Sequence, residues 1–593
     1  MLALFAERCS AARARASAST WANTKMSFLE QILARLDVAA NRTLFTELQD
    51  AGPIEVNGRE LRDLIAQART FLASRNLHRG DRCALLASNG VRWVAMDLAI
   101  MAEGLIVVPL YSRQAPGELV AMMKDCSPSL ICCGDAALRD AMVQSWPEAP
   151  PQVLFEEIFA AQSRETSNAS RAGIPFDFAH GRSAPQVDFD VVAIIYTSGT
   201  SGEPKGVMLT AGNVAHILRC TSAQLDILMD HRSRQVRTSQ DRVYQWAPLN
   251  FAAAWITLLT SLMRGSHVAM NTDLSKLASE LRAVAPDYFV NVPALLERVR
   301  RAVDEQLWKT GGLARTIYTR AKSAQMRKHE GSQKLADRVW LAAAQTAIFP
   351  TIRKKMIGAN LKALICGSAP LSVETQLYFV MLGIPVLQVY GLTETTGICT
   401  LDDPRHVEPG HVGPAIEGIE MKLGDNDEII VRGPNVFPGY WNKPAETAKV
   451  LRDGWFHTGD QGEVNTNGNW RIVGRIKNLI ILNSGHNIAP EPIEEEIIER
   501  LPAAQQVVLV GNVRSYLSAI VTGNIVADQV QAALDAVNAG LPHYKQVRTF
   551  RIIPEAFTIE NGLLTANGKL KRDLIVQRFR PEIEAMYAVK QAV

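Results

Sequence analysis

Eight short apolar runs dominate the first two thirds of the chain: "RCALLAS" (82–88), "LIVVPLY" (105–111), "SLICCGD" (129–135), "VVAIIYTS" (191–198), "SHVAMN" (266–271), "DYFVNV" (287–292), "LKALICG" (361–367) and "PVLQVYG" (385–391). Each has strand length, and the intervals between them carry helical apolar spacing. A strand that is apolar on both faces must be covered on both. The pattern therefore predicts an α/β fold of mostly parallel sheets sandwiched by helices. In such sheets ligands bind beyond the carboxyl ends of the strands, and several of these runs end directly in polar, glycine-rich sequence.

Between 410 and 473 the texture changes to short β segments punctuated by turns, which predicts a small β subdomain closing a large domain of residues 26–475. A compact α+β unit follows over 476–593, where "PEPIEEEIIERL" places Ile493, Ile497, Ile498 and Leu501 on one helical face. The Lys/Arg/Ala/Gln-rich stretch 310–350 reads as helical with a solvated face. Residues 1–25, rich in Ala, Ser and Arg, read as an N-terminal extension ahead of Met26, expected to be disordered; a transit peptide is the competing reading.

Hydrophobic residues make up 47% of the chain and charged residues 21%, the balance of a water-soluble protein with ample core. A net charge of +3 offers no basic tract for nucleic acid. The eight cysteines lack metal-site spacing and point to reduced, buried thiols and a cytoplasmic protein. No stretch of about 18 charge-free apolar residues is present to span a bilayer, which leaves peripheral membrane association open.

The run at 191–198 leads into "YTSGTSGEPKG". Glycine admits a backbone that can wrap closely around an anion, and Thr197, Ser198, Gly199, Thr200, Ser201 and Gly202 offer amides and hydroxyls to phosphate oxygens. Lys205 adds a positive charge. This is not the P-loop spacing, because Pro204 precedes the lysine where that loop requires glycine.

Six ordered segments resemble the signature of the adenylate-forming superfamily, which contains acyl-CoA synthetases, luciferases and peptide-synthetase adenylation domains. They are "YTSGTSGEPKGV", "CGSAPL" (366–371), "VYGLTETTG" (389–397), "GWFHTGD" (454–460), "VGRIKNLIILNSGHNIAPEPIEEEI" (473–497) and "LTANGKLKR" (564–572). The resemblance implies ATP, Mg²⁺ and coenzyme A as reactants and a mobile C-terminal domain. It assigns Gly367, Ser368, Ala369, Tyr390 and Gly391 to the adenine side, with the Tyr390 ring as a stacking face. It places Thr393 on the α-phosphate and Glu394 on the metal, Asp460 and Arg475 on the ribose, and Ser484 and Gly485 beside the pantetheine path. Lys477 becomes the pivot of the small domain. Lys569 becomes the catalytic cation between carboxylate and α-phosphate, while Lys571 and Arg572 are left as surface.

Among relatives, "PDYFVNVPALLERV" (286–299) and "ENGLLTANGKLKR" resemble the long-chain fatty acyl-CoA synthetases. The implied reaction turns a fatty acid into its adenylate and then its CoA thioester. The alternatives are an acyl-AMP ligase serving a carrier protein, a ligase for an aryl acid, and a non-catalytic sensor. One departure stands out: those enzymes carry a "PLxH" segment where this chain reads "APLNFAAAW", with Phe251 in place of the histidine. Phe251 and Trp255 either line an acyl pocket or belong to the core.

Overall fold

The computed structural model of the chain describes residues 26–159, 187–198, 204–230, 239–356, 360–565 and 568–588; the extension 1–25 lies outside them. All eight apolar runs form strands. They divide between two large sheets. A six-stranded sheet takes Gln152–Leu154, Leu130–Cys133, Arg82–Leu86, Ile106–Leu110, Val191–Ser198 and Pro204–Thr210 in that spatial order, parallel except for the last pair. An eight-stranded sheet has a parallel interior and antiparallel strands at both edges.

Alternation along each strand sends side chains to opposite faces, and here both faces are covered. Cys83, Leu85 and Ile195 of the first sheet and Phe45, Val268 and Met270 of the second share one core with the helices Val91–Ala102 and Ala252–Arg264 that lie between the sheets. Ala84, Leu86 and Ile194 point the other way, onto helix Pro116–Cys126. Tyr244, Phe289 and Leu364 pack outward beneath the helices of residues 293–347. The result is five layers, α/β/α/β/α, as the doubly apolar strands require. The seven described cysteines are buried and free. No helix among the described residues is long and apolar enough to cross a membrane.

A further sheet follows, built on Glu428–Arg432, Trp455–Val464 and Trp470–Arg475. Beyond it a separate core begins at Ile480. There the strands Gln506–Val510, Leu517–Thr522 and Val547–Ile553 carry helix Glu491–Arg500 on one face and the C-terminal helices from Arg572 on the other. Ile493, Ile497 and Leu501 are buried and Ile498 packs beside them, as their spacing indicates.

Candidate active site

Val191–Ser198 is the last parallel strand of its sheet, and Pro204–Thr210 returns beside it with Thr197 opposite Lys205. Gly199, Thr200, Ser201 and Gly202 lie outside the described residues, and of Ser198 only the strand backbone is described. The other edge of the returning strand is taken by the chain at 439–441. The Met208 amide donates to the Gly439 carbonyl at 3.2 Å and the Trp441 amide to the Gly206 carbonyl at 2.8 Å. That pairing brings Tyr440 beside Lys205, whose ammonium stands 5.2 Å from the ring centroid and 2.6 Å from Glu446 Oε2. The hydrogen bond from Lys205 holds the Glu446 carboxyl down at about 2.

Strand Val386–Tyr390 delivers a single 3₁₀ turn, Thr393–Thr395, at its carboxyl end. Gly391 cannot be replaced without movement there, because a Cβ would collide with the Gly397 carbonyl. At Gly367, on the neighbouring strand, a Cβ would sit 2.9 Å from the Val389 carbonyl oxygen. Ser368 follows it in the left-handed region at φ +74°, and Ala369 is exposed. The turn is pinned from outside. Buried Asn435 donates to the Ile398 carbonyl at 2.9 Å, Thr396 Oγ1 donates to the Asn435 carbonyl at 2.8 Å, and the Phe437 amide donates to the Glu394 carbonyl at 2.9 Å. Glu394 Oε1 accepts from the Tyr440 hydroxyl at 2.8 Å. A cation, a phenol and a carboxylate thus stand in a row, with half-buried Thr393 beside them.

Asp460 and Arg475 face each other across an antiparallel ladder. Asp460 Oδ1 lies 2.6 Å from Arg475 Nε, and Oδ2 accepts from the Tyr390 hydroxyl at 2.8 Å. Tyr390 is consequently packed into the main core. Its hydroxyl is bound to Asp460 and the ring, 9% exposed, has apolar neighbours on its buried side. Burial pushes the Asp460 pKa up, against the pull of Arg475, Tyr390 and Lys569.

Lys569 sits in a tight turn closed by the Thr565 amide donating to its carbonyl at 2.8 Å. The charges that act on its ammonium are Arg475, Asp460, Lys477 and Glu394. Crowding by protein, then Arg475, lowers its pKa, although water still reaches the residue. Lys477 is lowered in the same way, by burial and then by Arg475. The tail lysine thus lies within electrostatic range of charges from three other motifs. Ser484 and Gly485 stand apart in the turn between Ile480–Ile481 and Asn487–Ile488. There Ser484 Oγ is 2.9 Å from His486 Nδ1, and His486 stacks on Tyr544 at 4.2 Å.

The sequence left Trp255 open between acyl pocket and core and read Arg572 as surface; the first is settled and the second needs correction. Trp255 has no accessible surface and donates its indole N–H to both carboxylate oxygens of buried Asp97, at 3.1 and 3.2 Å, so it is core rather than pocket wall. Arg572 is not a surface residue: it pairs with buried Glu494, with Nη1 2.8 Å from Oε1. Phe251 caps the start of helix Ala252–Arg264, with its ring 6.0 Å from that of Tyr111. A Cβ on Gly397 would lie 3.5 Å from the Ala253 amide, so this helix start abuts the Glu394 turn. Tyr440, Glu446 and Asn435 escaped the sequence reading. The turn signal "FPGYWN" around Tyr440 was visible, but not the strand it would dock against.

Residues 37–441 match the family described as AMP-binding enzyme, and residues 477–591 the AMP-binding enzyme C-terminal domain. The chain belongs to the AMP-binding enzymes. Among curated relatives of this AMP-binding enzyme is the long-chain-fatty-acid–CoA ligase FadD15 of Mycobacterium tuberculosis, 26% identical over 578 residues, covering 92% of this chain and 94% of that protein. The ligase ACSBG2 of Rattus norvegicus is 26% identical over 597 residues, covering 89% of this chain and 87% of its own. Two solved structures share the fold. The adenylation domain of a carboxylate reductase from Mycobacterium chelonae gives a TM-score of 0.73 at 20% identity, covering 96% of this chain and 92% of its own. ATP-bound MatB from Rhodopseudomonas palustris gives 0.69 at 22%, covering 93% and 99%.

Proposed function

We propose that this AMP-binding enzyme activates a medium- to long-chain fatty acid in two stages. A carboxylate oxygen attacks the α-phosphorus of ATP and pyrophosphate leaves; the sulfur of coenzyme A then attacks the acyl carbon and AMP leaves. The observation that carries the reading is the position of Lys569. A lysine near the end of the chain lies within electrostatic range of Asp460, Arg475, Lys477 and Glu394, where a cation would offset the negative charge that builds as two anions meet.

The remaining roles follow from donor chemistry. Thr197 and the loop leading to Lys205 would hold the β- and γ-phosphates, and Thr393 would donate to the α-phosphate. Asp460 accepts from vicinal ribose hydroxyls, while Arg475 and Tyr390 hold its carboxylate in place. The adenine would lie against the backbone of Gly367–Ala369 and Gly391. For Mg²⁺ the fit is partial by design. Among the described residues there is no group of three or more candidate ligands; the Glu394 carboxylate next to Thr393 would be the protein's ligand, which suits an ion that arrives on a triphosphate and keeps its waters. When bound, Mg²⁺ neutralises phosphate charge. Lys477 is the pivot about which the C-terminal unit withdraws Lys569 and presents Ser484 and Gly485 to the thiol. The fatty acid is supported by the names of the relatives and by apolar Phe251 at the helix start beside the Glu394 turn.

The test is fatty-acid-driven ATP–pyrophosphate exchange by the pure protein, followed by AMP release with and without coenzyme A. Exchange with medium- and long-chain acids and CoA-stimulated release are expected. No exchange with any fatty acid sinks the substrate assignment, and release indifferent to CoA moves the acceptor to a carrier protein.

A further inference from the structure

Helices Pro293–Thr310, Gly312–His329, Leu335–Ala347 and Phe349–Met356 form the layer over the eight-stranded sheet. Its inner side is apolar, built on Tyr318, Ala321, Ala324, Leu341 and Ala344. Its outer side is not simply polar: Trp308 is 60% exposed, Leu313 73%, Leu335 82% and Val339 67%. Scattered exposed apolar residues mean little. These four share one helical layer with a concentrated charge.

Residues 308–356 carry eleven Lys and Arg against two acids, Glu330 and Asp337. That stretch is formally +9 while the whole chain is +3, so the rest of the molecule carries −6. One of the two acids is already spent, since Asp337 is buried against Arg327. Lys309, Arg315, Arg320, Lys328, Lys334 and Arg338 form no ion pair with a described residue. Arg315 lies 3.3 Å over the Trp308 ring and Arg320 5.0 Å over that of Trp340, which keeps guanidinium and indole at the same level of the surface.

We propose that this helical layer is a membrane-docking surface and that its occupant is an anionic lipid bilayer. Cations meet headgroup phosphates while Trp308, Leu313, Leu335 and Val339 enter the interfacial region, the arrangement by which helices lie on a bilayer rather than cross it. With no spanning helix among the described residues, attachment by this face is peripheral. A polyanion such as RNA would use the charge and leave Leu335 and Val339 unexplained.

The test is flotation of the full chain with phosphatidylcholine vesicles, either pure or with about one third phosphatidylglycerol. The wild type is expected to float with the anionic vesicles and to be released by salt. Each neutralised charge is worth about five-fold in partitioning, so K309Q/R315Q/R320Q/K328Q should bind at least ~100-fold more weakly, and L335S/V339S about ten-fold more weakly. Both variants should keep wild-type exchange activity on a water-soluble acid, which reports folding. Failure of the wild type to float with anionic vesicles, even if it binds RNA, overturns the proposal. So does a quadruple variant that floats like the wild type.

Discussion

Asp97 lies within helix Val91–Ala102, fully buried between the two large sheets, and the described donor to it is the Trp255 indole. Burial pushes its pKa up to about 7, outweighing the opposite pull of the indole. In the unfolded chain an aspartate titrates at about 3.9. Between those values the folded protein holds a proton that the unfolded chain has released. Stability from this group is therefore complete below pH ~4 and is lost as pH rises through ~7. A shift of about three units, at roughly 1.36 kcal/mol each, makes the ionised carboxylate cost about 4 kcal/mol at pH 8. Asp97→Asn keeps the shape and an acceptor for the indole but cannot ionise. The variant should be more stable than wild type by up to about 4 kcal/mol at pH 8, falling to about 1.5 kcal/mol at pH 5. Urea unfolding read by amide exchange in residues 91–102 measures both. A difference that is the same at the two pH values would refute the assignment of a raised pKa to Asp97.

Three further outcomes follow from single contacts. Gly391→Ala forces a Cβ onto the Gly397 carbonyl and should cut exchange activity at least ~10-fold through displacement of the Glu394 turn. Glu446→Gln releases Lys205 from a 2.6 Å partner and should tighten ATP binding about three-fold, the scale of a partly exposed ion pair, by isothermal titration. Arg572→Ala leaves buried Glu494 without its cation and should destabilise the C-terminal unit by about 3–5 kcal/mol, seen as faster amide exchange in residues 506–522 with the strands of the large sheets unaffected.

The layered fold was legible because it depends on a local property: strands such as Ile106–Leu110 and Leu130–Cys133 are apolar at every position and can exist only between two covers. The partners of buried charges were not legible. Nothing near Asp97 announces Trp255, and nothing near Arg572 announces Glu494, since each pair forms only when distant elements pack. Lys205 shows the same limit. Its place after a glycine-rich loop marked it for phosphate, but Glu446 and Tyr440 arrive from a segment that pairs with the strand edge through long-range backbone hydrogen bonds. The Asp460–Arg475 pair was legible only through the family resemblance, because a register shift between Gln461 and Gly462 moves Asp460 from the place opposite Gly474, where the hairpin alone would put it, to face Arg475.

The central claim is that Lys569 supplies the cation for adenylation and leaves before thioester formation. Two unit charges about 4 Å apart in a medium of effective permittivity near 20 interact by about 4 kcal/mol, so Lys569→Ala should slow adenylation on the order of 10³-fold. The direct measurement is single-turnover kinetics of both halves in this variant: acyl-adenylate formation from fatty acid and ATP, and thioester formation from supplied acyl-adenylate and coenzyme A. The account predicts a loss of about 10³ in the first and less than about three-fold in the second. An equal loss in both halves, or a variant that adenylates at the wild-type rate, would contradict it.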